Sequence, residues 1–165
     1  MGEGPQRRRG DTVNIQECFQ TAARIEILLR DLYAGLARCF RTNPHLYESF
    51  LCLASEEEQH ALRIRLLALH RRGVTWTDDA IDRIRGDLLT TVAELSAMAR
   101  EVRRSSDGRS AGPVLRKVIE VERRCGSIHA EGLARSADPE VRGFFASLAK
   151  QDVRHERLLE QALQA

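Results

Sequence analysis

Aromatic residues are scarce in this chain. One Trp, two Tyr and five Phe in 165 residues are few for a sheet protein, while Ala, Leu, Arg and Glu abound, and the balance favours helix. Net charge is nearly absent too. A formal +2 gives neither the basic field of a nucleic-acid binder nor a pull toward an anionic membrane. No apolar run approaches the roughly 20 residues of a membrane span, and the start lacks the apolar stretch of a secretory signal. The expected location is therefore cytoplasmic, with no nucleic-acid or membrane partner. The four cysteines, Cys18, Cys39, Cys52 and Cys125, form no CxxC pair, which argues against a zinc knuckle or a rubredoxin-like iron site. Each lies in an apolar helical stretch, where a reduced, packed thiol is the simpler role.

What remains is enough for one helical domain. The hydrophobic share of 42% supports a core, and residues 12–165 read as a single unit behind a Gly-rich tail, 1–11, that carries Arg7, Arg8 and Arg9. A first helix is expected over 12–41. Asn43-Pro44 breaks it and opens a second, which runs to His70 or Arg72 and stops near Gly73. Residues 73–79, with Trp76, read as a turn in which Thr77 or Asp78 can cap a third helix over 79–104. That helix has an uninterrupted apolar face, and Gly86 is a candidate break. Residues 105–113 read as a mobile polar linker. A fourth helix is expected over 114–136, and a fifth starts at Pro139 and ends near Gln164.

The second helix carries the first sign of chemistry. Phe50, Leu53, Glu57, His60, Ile64 and Leu67 alternate steps of three and four, the spacing of one inward helix face. A carboxylate and an imidazole interrupt it, and a buried charge is costly unless paired or metal-bound. Phe145, Leu148, Asp152, His155, Leu159 and Ala162 repeat the same order in the fifth helix. The first and fourth helices match as well: Glu26 aligns with Glu122, and Tyr33 with His129, each seven residues on. The chain thus reads as a duplicated helical hairpin, all-α, with an extra helix in the connection.

Each hairpin offers one acid from its first helix and an acid-x-x-His pair from its second. Glu26, Glu57, His60, Glu122, Asp152 and His155 together form the ligand set of a di-iron or di-manganese site in a helix bundle. Hard carboxylate oxygens with imidazole suit iron or manganese, and two divalent cations would balance four carboxylates. Without metal, the acids should take up protons and the bundle should loosen. Glu57 and Asp152 would bridge, and Glu26, Glu122 and the two histidines would be terminal; the sequence leaves open which His joins which acid. Tyr33 and His129 lie on the same inward faces. Core packing is their default role, a hydrogen bond to a ligand the functional one, and His129 is a substitute ligand should Asp152 fall short. Glu56, Glu58, Glu120, Glu131 and Glu156 read as solvated surface charges. A network of buried arginines is the alternative way to satisfy the inward acids.

At these residues the chain resembles the rubrerythrin-like branch of the ferritin-like superfamily. The likeness rests on Glu26, Glu57-x-x-His60, Glu122 and Asp152-x-x-His155, with support from the segments 115–122 and 138–148. It implies an antiparallel ferritin-like four-helix bundle and a di-iron centre that reacts with oxygen or peroxide, often in a homodimer. The chain departs from the family in carrying Asp152 where Glu is usual and Cys125 where rubrerythrins have a further Glu. The rubredoxin-like domain is also missing, so a separate electron donor is expected. The function expected is iron oxidation, or reduction of oxygen or peroxide. The alternative is a non-catalytic bundle that binds a partner or stores metal at a degenerate site.

Overall fold

The computed structural model describes residues 15–70, 78–133, 136 and 138–164. The expected tail at 1–11, the turn with Gly73 and Trp76, and the capping side chains of Thr77 and Asp78 lie outside them. Among the described residues every regular element is helical: α1 (Ile15–Cys39), α2 (Pro44–His70), α3 (Asp78–Arg104), α4 (Gly108–Ser127) with a π-helical extension (Ile128–Gly132), and α5 (Pro139–Gln164). No helix is long and apolar enough to cross a membrane among those residues.

The two X-Pro junctions act as expected. Asn43 Oδ1 accepts from the Leu46 amide at 3.2 Å, and Asp138 Oδ1 from the Glu140 amide at 2.8 Å. Each side chain thereby satisfies an N–H that the first helical turn leaves without a partner. α1 and α2 form an antiparallel hairpin. Gln16 Nε2 at one end donates to the Ala68 carbonyl at 3.0 Å, and the Phe40 and Phe50 rings meet at the other. α4 and α5 form a second, in which Arg123 reaches both Glu156 and Glu160. The hairpins face one another with α1 against α4 and α2 against α5, and Phe19 and Phe145 stack between them at 5.9 Å.

α3 packs along α1 in the same direction and antiparallel to α4, which it meets through Lys117–Glu101 and Arg124–Glu94. Its face of Ile84, Leu88, Leu95, Met98 and Val102 is buried. The approach to α1 is close enough to require glycine, since a Cβ on Gly35 would lie 2.5 Å from Val102 Cγ1. Gly86 does not break α3.

Of the expected linker 105–113, only residues 105–107 connect α3 to α4; the rest is helix. α4 begins at Gly108 behind a capping box in which Asp107 accepts from the Ser110 amide and Ser110 Oγ from the Asp107 amide. Proline inside a helix removes a hydrogen bond and favours a break, yet Pro113 is accommodated here. Ala111, Val114 and Leu115 on either side of it are fully buried, and that packing holds the turn. The far end also departs from expectation. The fourth helix widens into a π-helix at Ile128 instead of continuing as α-helix to Ser136.

Candidate metal centre

All the inward acids and histidines meet between the hairpins. Glu26, Tyr33, Glu57, His60, Glu122, His129, Asp152 and His155 come from α1, α2, α4 with its extension, and α5, and none is more than 3% exposed. Each sits where the apolar three-and-four pattern of its helix turns to the interior, so the residues that build the core also aim the polar groups at one another.

Two groups of three have donor atoms within 4.8 Å of one another: Glu26, Glu57 and His60, and Glu57, Glu122 and His155. Glu57 belongs to both. Its Oε2 lies 3.0 Å from His60 Nδ1 and its Oε1 2.8 Å from His155 Nδ1. Glu26 Oε2 is 3.6 Å from His60 Nδ1, and Glu122 Oε1 is 3.9 Å from His155 Nδ1. The pairing that the sequence left open is thus Glu26 with His60 and Glu122 with His155. The two rings stack at 5.7 Å, nearly parallel.

Asp152 stands outside both groups. Its Oδ2 is 2.8 Å from His129 Nδ1, while His129 Nε2 lies 3.7 Å from Glu26 Oε1. The shorter aspartate turns to the neighbouring imidazole on the π-helical turn, so the structure does not give it the bridging position expected beside Glu57. A π-turn inserted in an α-helix commonly marks a functional site, and here it carries the residue that holds Asp152. Tyr33 donates to Glu122 Oε1.

Among the described residues, four buried side-chain atoms have no hydrogen-bond partner: Glu26 Oε1, Glu57 Oε1, Glu122 Oε2 and His155 Nδ1. Two of these, Glu57 Oε1 and His155 Nδ1, are only 2.8 Å apart but out of alignment for a hydrogen bond. Orphaned buried polar groups cost free energy unless something else meets them. All four belong to the two groups of three, and a cation is what carboxylate oxygen and imidazole nitrogen share as a partner. Arginines do not fill that role. Among the described residues their ion pairs fall on Glu17, Asp31, Glu56, Glu58, Glu94, Glu156 and Glu160.

The electrostatics follow from burial and proximity. Burial, reinforced by the charge of Glu57, pushes the Glu26 carboxyl up to about 8. Burial and then Glu57 and Asp152 hold Glu122 well above the usual carboxylate range. Burial works against Glu57 as well, but contact with His155 and His60 outweighs it and keeps this carboxylate ionised well below the ordinary range. His60 is pushed up to about 11, because Glu26 and Glu57 overcome the burial that opposes its charge. His129 and His155 are raised for the same reason, by Asp152 and by Glu57. Protons thus balance the acids when cations do not.

Around the donors lies a layer that the sequence only partly exposed. The outer nitrogens of the two histidines are both held: His60 Nε2 by Gln151 Oε1 and His155 Nε2 by Glu56 Oε2, each at 2.8 Å. Arg154 also pairs with Glu56. Glu56 is therefore not the solvated charge expected, whereas Glu58, Glu120 and Glu131 are exposed as expected. Gln151 lies off the inward stripe of its helix, so that spacing does not mark it. A signal was present for both, since Glu56 precedes Glu57 and Gln151 precedes Asp152, equivalent positions in the duplicated hairpin. A groove of about 720 Å³ between α4 and α5 reaches the cluster at Glu122 and Asp152, its walls kept low by Gly126, Ala130, Ala146 and Ala149.

Compared with protein-family models, curated proteins and solved structures, the chain finds no match in any of the three.

Proposed function

We propose that this chain is a ferritin-like di-metal carboxylate protein. Its two ions are iron or manganese, with iron favoured, and it acts in oxidation of ferrous iron or in reduction of oxygen or peroxide with electrons from a separate donor. One observation carries the reading: a single buried carboxylate, Glu57, is shared by two acid-acid-His groups in which four buried donor atoms make no hydrogen bond. In this reading Glu57 would contribute to both ions, Glu26 and His60 would hold one, and Glu122 and His155 would hold the other. Bound iron would supply the redox chemistry. The protein supplies charge balance, a buried setting and fixed imidazoles. Gln151 and Glu56 keep each Nε2 engaged, so that Nδ1 faces the donor cluster, and the α4–α5 groove gives a small oxidant a short route to Glu122.

The test is metal analysis of the full chain from iron-supplemented cells, followed by aerobic ferrous oxidation. About two ions per chain with rapid oxidation supports the proposal. The capture of Asp152 by His129 favours a second reading, a bundle that holds metal without redox turnover. Bound iron with no oxidation above that in buffer would select it. No metal at all would end both.

A further inference from the structure

The duplication places a matched residue behind each histidine, and the two are chemically different. Gln151 on α5 meets His60 on α2, and Glu56 on α2 meets His155 on α5, both at Nε2 and both at 2.8 Å. The positions are equivalent, each one residue before the inward acid of its own helix. One backing group is a neutral amide and the other a carboxylate. A carboxylate that accepts from the far nitrogen of an imidazole makes the near nitrogen a stronger donor, and such outer partners change metal affinity by about 10–100-fold. An amide oxygen fixes the ring equally well but polarises it less, since hydrogen bonds to ionised groups are about twice as strong as neutral ones.

We infer that the two ion positions are inequivalent: Glu56 makes the Glu122/His155 position the tighter, and Gln151 leaves the Glu26/His60 position the weaker. The inference rests on the di-metal reading above. Two contacts narrow the difference. Arg154 shares the Glu56 carboxylate, and Tyr33 draws charge from Glu122. The backing groups are therefore best varied with Arg154 and Tyr33 left in place. Glu56 and Gln151 are positioning residues, neither of them in the two donor groups.

The experiment is anaerobic calorimetric titration of the full chain with Mn(II). The natural chain should take up two ions in two resolved steps. Glu56→Gln should weaken the tighter step about tenfold or more and leave the other in place. Gln151→Glu should tighten the weaker step by a similar factor, and the double exchange should invert their order. His60→Ala, which disables the Glu26/His60 position, should keep the tighter step and its sensitivity to Glu56→Gln. A purely structural role for the pair would not produce opposite signs from the two substitutions. Two bound ions whose steps ignore both substitutions, or shift together, would overturn the inference while leaving the di-metal reading intact. No Mn(II) uptake by the natural chain would overturn both.

Discussion

Glu57 is the residue on which the cluster turns, and Asp152, its counterpart in the repeat, is not. Glu57 reaches both histidines, whereas Asp152 is one methylene shorter and is held by His129. Glu57→Gln should abolish uptake of both ions, while Asp152→Asn should retain two and cost about tenfold in affinity, as expected for an outer partner. Metal stoichiometry of the two variants is the measurement, and loss of one ion from the second would return Asp152 to the ligand set. The same residues set a pH dependence in the metal-free protein. Glu26 is raised to about 8 and His60 to about 11, so the folded state binds more protons than the unfolded chain once pH exceeds the ordinary values of about 4.3 and 6.5. The stability from Glu26 is full below the first value and lost as pH rises to about 8, and that from His60 is lost between the second and about 11. Glu57, shifted the other way, contributes constantly over this window. The melting temperature without metal should therefore fall from pH 5 to pH 9, and Mn(II) should restore most at the alkaline end, where fewer protons need displacing. A flat profile would count against the protonated cluster. At this scale the inward acids and histidines were legible because each interrupts an apolar stripe. The short reach of Asp152 was legible in its residue type, but its capture by His129 was not, since nothing in a three-and-four spacing reports a π-turn there.

At the scale of the helix, the informative positions are close approaches and caps. Gly35 permits α3 to lie against α1, and the first atom of any side chain there would meet Val102 at 2.5 Å. Val102 is buried and β-branched, so it has little freedom to give way. Gly35→Ala should destabilise the fold by about 1–3 kcal/mol, the usual cost of overpacking. Chemical denaturation would measure it, and relief by the partner change Val102→Ala would assign the loss to this contact. Asp107→Ala removes the box that starts α4 and should fray the first turn, seen as faster amide exchange at Arg109 and Ser110. The boundaries of α2 and α5 were readable because Asn-Pro and Asp-Pro carry both the stop and the cap. The start of α4 was not, because Gly108, Gly112 and Pro113 look like a loop. Burial of Ala111, Val114 and Leu115, a tertiary property, decides the matter.

Across the whole molecule, the two hairpins contribute unequally. Glu26, Glu57 and His60 all belong to the first hairpin, so one donor group is complete within α1 and α2. The other joins Glu57 to Glu122 and His155 and spans the seam between hairpins. The helices are densely packed within each hairpin, and α3 adds to the first, but the backbones of α2 and α5, and of α1 and α4, draw near at few points. Metal should therefore slow amide exchange more in α4 and α5 than in α1 to α3. Glu122→Gln should erase that difference while the first group still takes up an ion. Equal slowing everywhere would show that the halves do not move separately.

Because Glu57 is anchored in one half and completes the donors of the other, an ion beside His155 would work as a rivet. Pulling it would free the second hairpin to swing on the aromatic stack of Phe19 and Phe145. Chelation should thus open the seam well before it melts the helices.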